Sequence, residues 1–184
     1  MAMPAVLPVR SFWTVDDVDA LPEDGRRYEL LHGELLVNPP PEIDHERVVL
    51  TLFRALAEWC DAHTGWAVHL RGTVQVGVTT RLEPDITVYP APDRGVRHWR
   101  ELPVPVLVVE VASPSSVRRD RFAKRAAYLA AGVAEVWTMH PVHRRLERWT
   151  AASEFPTVID TALHWAPASH SPPFELPLTA LFPE

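Results

Sequence analysis

Two acidic residues of this sequence lie where strands are expected, and each suits metal-assisted chemistry. Asp85 follows Pro84 at the start of an apolar run, and Glu110 lies inside the apolar run 106–111. A carboxylate in a central apolar strand is costly unless a positive charge compensates it. Two carboxylates on adjacent strands would hold Mg²⁺ or Mn²⁺, and the main-chain carbonyl of Val111 would supply a further oxygen ligand. Such an ion activates water and polarises a phosphodiester.

Lys124 is the third candidate, and it is the only lysine among 18 lysines and arginines. It lies on the helix predicted directly after the Glu110 strand. On a helical wheel it falls at the edge of the apolar arc, so its stem would lie against the sheet with the amine directed at a cleft. A primary amine there would orient a nucleophile or offset charge in the transition state.

Each candidate also has a structural explanation. Asp85 is an ordinary strand-initiating acid after proline, Glu110 would suit a solvated strand end, and Lys124 would suit a boundary position with its amine in water. The three together, in the order strand acid, strand acid, helix lysine, are more specific than any one. Two supporting candidates remain open: Glu29 is a third acid near the metal or an exposed hairpin carboxylate, and His45 is a phosphate contact or a surface residue.

The elements that must position these residues follow from hydrophobic periodicity and turn residues. We predict a short helix from Thr14 to about Leu21, a β-hairpin around His32-Gly33, a long helix that begins near Asp44 and ends before Gly65, strands over 73–78, 85–89 and 104–111, a helix over 120–131, and strands over 136–139 and 146–149. The order indicates an α/β fold with a mixed central sheet flanked by helices and an N-terminal β-hairpin extension.

Length and composition set further limits. The 184 residues predict a single domain, 1–184, with a core at about 25–150, a loose N-terminal arm over 1–12 and a segment rich in proline and alanine over 151–184. We expect no membrane span and no signal peptide. One cysteine, Cys60, excludes an internal disulfide and cysteine-based zinc sites, and it favours the cytoplasm. The net charge of −6 argues against broad nonspecific binding to nucleic acid.

Several strings of the sequence resemble one family. They are Tyr28-Glu29-Leu30 with Gly33-Glu34, His45, Pro84-Asp85, 110–116 (EVASPSS), 120–124 (DRFAK) and 132–137 (GVAEVW). Together they resemble the Uma-type family of restriction endonucleases, within the PD-(D/E)XK nuclease superfamily. The resemblance covers about residues 25–150 and implies a restriction-endonuclease-like core, with Asp85 and Glu110 as metal ligands and Lys124 as the catalytic lysine. In the superfamily's general pattern the lysine lies two positions after the acid, where this chain has Ala112.

The leading hypothesis is therefore a Mg²⁺- or Mn²⁺-dependent endonuclease that hydrolyses DNA. The alternative is a catalytically inactive nuclease-like module for binding or assembly, which the acidic net charge and Ala112 favour. A metal-dependent hydrolase of another phosphodiester is a third reading. A homodimer is left open, because cutting both strands of a duplex favours two sites.

Overall fold

The computed structural model describes residues 10–90, 95–112, 120–169 and 171–182. Most of the predicted N-terminal arm lies outside these ranges. So do Ser113, Ser115 and Ser116, which the sequence predicts to shape the turn after the Glu110 strand and to cap the helix that follows. The helices are α1 (Val15–Asp19), α2 (Ile43–Ala62), α3 (Arg125–Ala130) and α4 (Leu178–Leu181), with 3₁₀ turns at Trp99–Glu101 and Pro141–His143 and a π-helical segment at Asp120–Lys124. The strands are β1 (Arg27–Leu31), β2 (Glu34–Asn38), β3 (Trp66–Leu70), β4 (Val74–Val76), β5 (Thr80–Leu82), β6 (Ile86–Pro90), β7 (Leu107–Val111), β8 (Glu135–His140), β9 (Arg145–Thr150), β10 (Thr157–Ile159), β11 (Ala162–Trp165) and β12 (Phe174–Pro177).

A six-stranded sheet forms the centre of the fold, in the order β10-β9-β8-β7-β6-β3. Strands β7 and β8 are parallel, and the other neighbours are antiparallel. Every residue of β7 is buried, as its continuous apolar run predicted. A parallel pair needs a crossover, and the chain between β7 and β8 contains α3. The predicted α/β fold with a mixed sheet and flanking helices is confirmed.

The two faces of this sheet are covered by different elements. On one face Val109 and Val111 pack with α2, whose Leu52 and Leu56 are fully buried. Side chains alternate along a strand, so Val108 and Glu110 lie on the opposite face. That second face packs against α3 and against a smaller sheet. Glu110 therefore lies in an interface between layers.

The smaller sheet has the order β2-β1-β5-β4. Its first two strands are the predicted hairpin, and their turn has positive φ at His32 (51°) and Gly33 (83°), as a two-residue hairpin turn requires. We expected the hairpin as an extension of the core. Instead β5 pairs with β1 and extends it into a sheet, and Leu36 of the hairpin is buried on the second face of the central sheet.

The strand predicted over residues 73–78 is shorter than expected. Only Val74–Val76 is a strand: Val74 is buried, whereas Val76 and, beyond the strand, Val78 are exposed. The reason is that β4 is an edge strand and the chain leaves it at Gly77, where φ is +60°. The two later valines therefore have no layer to pack against.

The segment after residue 150 forms more structure than its weak strand signals indicated. Strands β11 and β12 pair with each other, and α4 follows directly. Trp165, Phe174 and Leu178 are buried in the core that includes α2. Among the described residues, no helix has both the length and the apolar character that a membrane crossing requires.

Cys60 provides a test of the packing around α2. Burial, together with the nearby charge of Asp61, raises the pKa of the Cys60 thiol to about 11. Because the thiolate is the reactive form, we expect alkylation of the native protein at pH 8 to be at least about a hundredfold slower than alkylation of the unfolded chain. Iodoacetamide labelling followed by mass spectrometry, with and without urea, measures the two rates. Equal rates would contradict the burial of this face of α2.

Candidate active site

Asp85 and Glu110 lie side by side at one end of the β6–β7 pair. Ile86 pairs with Val109, and Thr87 pairs with Val108. Extending this register by one residue places Asp85 opposite Glu110, and opposed residues of an antiparallel pair share a face with their Cβ atoms about 5 Å apart. Each acid is only 4% exposed. The structure thus brings the two predicted acids together on the covered second face of the sheet.

Lys124 reaches the same place from the crossover helix. Its Nζ lies 3.1 Å from Oε1 of Glu110 and 2.8 Å from Oε2 of Glu29, and the residue is 4% exposed. The stem lies inside the protein, as its position at the edge of the apolar arc predicted. Lys124 closes the π-helical segment before α3. Such local widening of a helix is common at functional sites because it redirects individual side chains.

Glu29 is fully buried, so an exposed hairpin carboxylate is the wrong reading of this residue. Oε1 accepts a hydrogen bond of 2.7 Å from the main-chain N–H of Glu83, and Oε2 accepts one from the side-chain amide of Asn38. These donors, together with Lys124, satisfy the buried carboxylate. The hairpin therefore contributes a third acid to the cluster, fixed by the second sheet.

Asp85 has its own set of partners. Oδ2 accepts a 2.9 Å hydrogen bond from the N–H of Val111 and lies 3.2 Å from Nε2 of His45, while Oδ1 lies 3.7 Å from Nη1 of Arg27. Burial on its own would raise the pKa of Asp85. The hydrogen bond and charge of His45, the Val111 N–H and the charge of Arg27 outweigh it and hold that pKa below its usual value. Asp85 is therefore a carboxylate at neutral pH.

His45 lies in the first turn of α2 and contacts the site, not bulk solvent alone. Burial would lower its pKa, but the hydrogen bond to Asp85 and the charges of Asp85 and Glu46 raise the pKa above its usual value. The neighbouring carboxylates therefore favour the charged form of His45. The five predicted site side chains form two groups in contact, Asp85 with His45 and Lys124 with Glu29 and Glu110, and the carboxylates of both groups act on the guanidinium of Arg27. The main chain of Val111 contacts Asp85 through its N–H.

Besides Asn38, three partners in this cluster were not predicted: Tyr128, Arg27 and Glu83. The hydroxyl of Tyr128, a fully buried residue, donates a 2.6 Å hydrogen bond to Oε1 of Glu110. Arg27 donates to the carbonyl of Glu83 at 2.7 Å as well as facing Asp85. Spacing offered a signal for each: Tyr128 lies four residues after Lys124 on the helix, and Arg27 and Glu83 lie two residues before Glu29 and Asp85.

The carboxylates around Arg27 outnumber the positively charged groups of the cluster. Burial would lower the pKa of Arg27, yet the pKa is raised, because the carboxylates of Asp85, Glu29, Glu110 and Glu83 all act on this guanidinium. Burial also raises the pKa of Glu83. Four acids thus share the guanidinium of Arg27, the amine of Lys124 and one histidine. This excess of carboxylate oxygens fits a hard divalent cation better than a neutral ligand.

The candidate metal ligands are oxygen atoms, and they are few. Among the residues with described positions, no group of three or more histidine, cysteine, aspartate or glutamate side chains is arranged to hold an ion. Mg²⁺ does not require one, since it retains several waters and is commonly held by one or two carboxylates. Asp85 and Glu110, with the Val111 carbonyl, match that pattern.

This mixed sheet has one acid directly before β6, a second near the end of β7 and a lysine on the crossover helix. It is a restriction-endonuclease-like α/β fold. Residues 15–174 match the sequence model of the Uma2 family, described as "Putative restriction endonuclease", and the chain belongs to this family. The fold is similar to a crystal structure described as "a putative nuclease belonging to DUF820" from Anabaena variabilis, with a TM-score of 0.78, 19% identity, and 92% of this chain and 97% of that chain covered. No curated protein matches the chain.

Proposed function

We propose that this protein is a Mg²⁺- or Mn²⁺-dependent endonuclease that hydrolyses phosphodiester bonds of DNA in the cytoplasm. One observation carries the proposal: the lysine amine lies 3.1 Å from the carboxylate of Glu110, and the β6–β7 register, extended by one residue, places Asp85 opposite Glu110. Membership of a nuclease-like family supports the reaction class. Asp85, Glu110 and Lys124 come from separate elements, and each is buried. Burying charged groups costs free energy, and a function would explain why the fold brings these three together.

Asp85, Glu110 and the carbonyl of Val111 would hold the ion. When bound, it would supply Lewis-acid stabilisation of the phosphoryl oxygens and lower the pKa of a coordinated water. The present partners of Asp85 suit that role. His45 and the Val111 N–H fix the orientation of its carboxylate and keep the pKa low, so that the group binds as an anion.

Lys124 would act on the reacting groups with its ammonium. Glu29 holds Nζ from one side at 2.8 Å and Glu110 from the other at 3.1 Å, so the amine has a fixed position beside the proposed ligand. From there it would donate a hydrogen bond to the attacking water or to a phosphate oxygen that gains charge. We assign Glu29 and His45 supporting roles, with Glu29 positioning Lys124 and His45 positioning Asp85 or contacting phosphate.

A catalytically inactive binding or assembly module is the second candidate. The observation that favours it is the internal pairing of the acids. Lys124 bridges Glu29 and Glu110, while His45 and Arg27 face Asp85, so the cluster is held together by protein groups alone. Such a network would persist as structure without metal or turnover.

Metal binding by the wild type and by Asp85→Asn separates these two functions. We expect calorimetric titration with Mn²⁺ to show binding to the wild type and none to Asp85→Asn, because the amide cannot neutralise the ion. Asp160→Asn, at an exposed turn, is the matched control and should bind as the wild type does. Equal heats for Asp85→Asn and the wild type would contradict the site, and absence of heat in the wild type would favour the inactive module.

Cleavage assays then identify the substrate. We expect Mg²⁺-dependent cutting of DNA, measured on single-stranded DNA, duplex DNA, RNA and small phosphodiesters. Selective cleavage of a small diester would instead establish a different phosphodiesterase. Light scattering during the duplex assay reports whether two copies act together as a homodimer.

A further inference from the structure

An exposed aromatic and basic surface borders the candidate active site. We define the Trp99 strip as Arg97, Trp99 and Arg100 on the connection before β7, together with His69 and Arg71 at the end of β3. We propose that this strip binds an unpaired stretch of DNA, with one base stacked on Trp99, so that the substrate class is DNA with a single-stranded region. The inference rests on the proposed function and specifies its substrate.

The Trp99 strip lies next to the site because the end of β3 pairs with the start of β6. The N–H of Arg71 donates a 3.0 Å hydrogen bond to the carbonyl of Asp85. His69 pairs with Thr87, two residues further along β6 from Asp85. Trp99 packs edge-on against His69, with the ring centroids 5.3 Å apart. Given about 3.4 Å per strand residue, Trp99 lies on the order of 10 Å from Asp85. A strand held at Trp99 would thus continue towards the acids.

Trp99 is held in place and yet keeps an accessible surface. His69 contacts both Trp99 and Tyr89, whose ring is buried, so the aromatic row is anchored in the sheet. Trp99 itself remains 39% exposed. The indole lies on a short 3₁₀ turn, and an anchored aromatic surface of this kind suits stacking by a nucleobase.

The charge of the strip complements a phosphate backbone, although the whole chain carries −6. Arg97 and Arg100 are exposed, and neither forms an ion pair with another described residue. Arg71 pairs with Glu46 at 2.8 Å, yet its side chain is still 47% exposed. Three arginines beside a single stacking ring match one strand that tracks past the site.

An unpaired strand fits these features better than an intact duplex. A base inside a duplex has both faces stacked on its neighbours and offers none to Trp99. Binding to a duplex would also favour a broad basic face, whereas the described residues of the strip supply three arginines in a chain of net charge −6. The combination of a narrow basic track and an aromatic platform is the pattern by which proteins bind single strands without sequence readout.

Binding without catalysis tests the proposal. Fluorescence anisotropy measures the affinity for a labelled single strand and for the same sequence as a duplex, with the full-length protein in EDTA, where hydrolysis that needs a divalent ion does not proceed. We expect the wild type to prefer the single strand. Trp99→Ala should weaken that binding by about tenfold, whereas Trp99→Phe should retain most of it. Phe155→Ala, at a distant exposed aromatic, is the matched control and should bind as the wild type does.

Arg100→Ala provides a second measurement on the same strip. We expect the plot of log affinity against log salt concentration to become less steep, with the magnitude of its slope reduced by about 0.7. This is the change that loss of one phosphate contact to a single strand predicts. Unchanged binding in Trp99→Ala, or tighter wild-type binding to the duplex, would overturn the proposal. Cleavage in Mg²⁺ is measured separately. A wild type that binds single strands but does not cut them would refute the proposed nuclease activity. If the wild type cuts DNA and Trp99→Ala binds single strands as well as the wild type does, the proposed role of the Trp99 strip is refuted.

Discussion

Lys124→Met is expected to lower the free energy of unfolding by about 3–5 kcal/mol, the range for removing one partner of a buried ion pair. Methionine fills the space of the lysine stem but lacks the ammonium. Glu29, which is fully buried, and Glu110, which is 4% exposed, would then face each other without their shared cation. Urea denaturation of the metal-free protein, followed by far-UV circular dichroism, measures the loss.

Two further variants show whether the buried charges cause this loss. Adding Glu29→Gln to Lys124→Met removes one of the two uncompensated carboxylates, so the double variant should be more stable than Lys124→Met alone. Arg47→Met removes the cation of an exposed pair, in which Nη1 lies 2.8 Å from Oδ1 of Asp44, and should cost less than about 1 kcal/mol. If Lys124→Met and Arg47→Met lose equal stability, Lys124 does not compensate the buried acids.

The sequence predicted the elements that have strong local patterns. The buried positions of α2, including Leu52, Leu56 and Trp59, recur at helical spacing, and the long helix lies where this period placed it. The His32-Gly33 pair specifies its hairpin turn because its backbone requires positive φ. The apolar run of β7 indicated a strand covered on both faces. In each case a few neighbouring residues determine the outcome.

Layer contacts between distant segments were not predictable in this way. The pairing of β5 with β1 joins Arg81 to Leu30, residues far apart in sequence, and no local pattern encodes that register. The same applies to the segment after residue 150. Its short strands carry little periodicity, yet Trp165 and Phe174 complete the core beside α2 because the chain folds back over that helix.

In the candidate site, too, the residues with a strong local signal were predicted more readily than those without one. Asp85, Glu110 and Lys124 were predictable because an acid in an apolar strand, or a lone lysine at the edge of an apolar arc, conflicts with its local environment. The hairpin pattern at Glu29 left a site acid and an exposed carboxylate both open, and Tyr128 lies at a position that satisfies an ordinary helix pattern. Their contacts, to Lys124 at 2.8 Å and to Glu110 at 2.6 Å, exist only because the second sheet and α3 close over the central sheet.

Glu110→Gln is expected to lower the rate of Mg²⁺-dependent DNA cleavage by about a hundredfold to a thousandfold, the range for losing one electrostatic group at a reaction centre. Glutamine keeps the shape of the side chain, and its carbonyl oxygen still accepts hydrogen bonds from Tyr128 and Lys124. The fold should therefore persist, because Lys124 retains Glu29 as its anionic partner. What glutamine lacks is the negative charge that would hold the ion beside Asp85. Single-turnover cleavage of a DNA that carries both a duplex and an unpaired stretch, with thermal unfolding measured in parallel, separates the two effects.

Graded variants make this prediction specific to the carboxylate. Tyr128→Phe removes only the hydroxyl that donates to Glu110, so it should slow cleavage less than Glu110→Gln does, and added Mg²⁺ should restore part of the rate. Glu175→Gln, at a glutamate that is 62% exposed, should cut DNA as the wild type does. Glu110→Gln that cleaves at the wild-type rate would remove Glu110 from the metal site. In that case its pairing with Lys124 would serve stability alone, and the large effect of Lys124→Met on unfolding would stand without any consequence for catalysis.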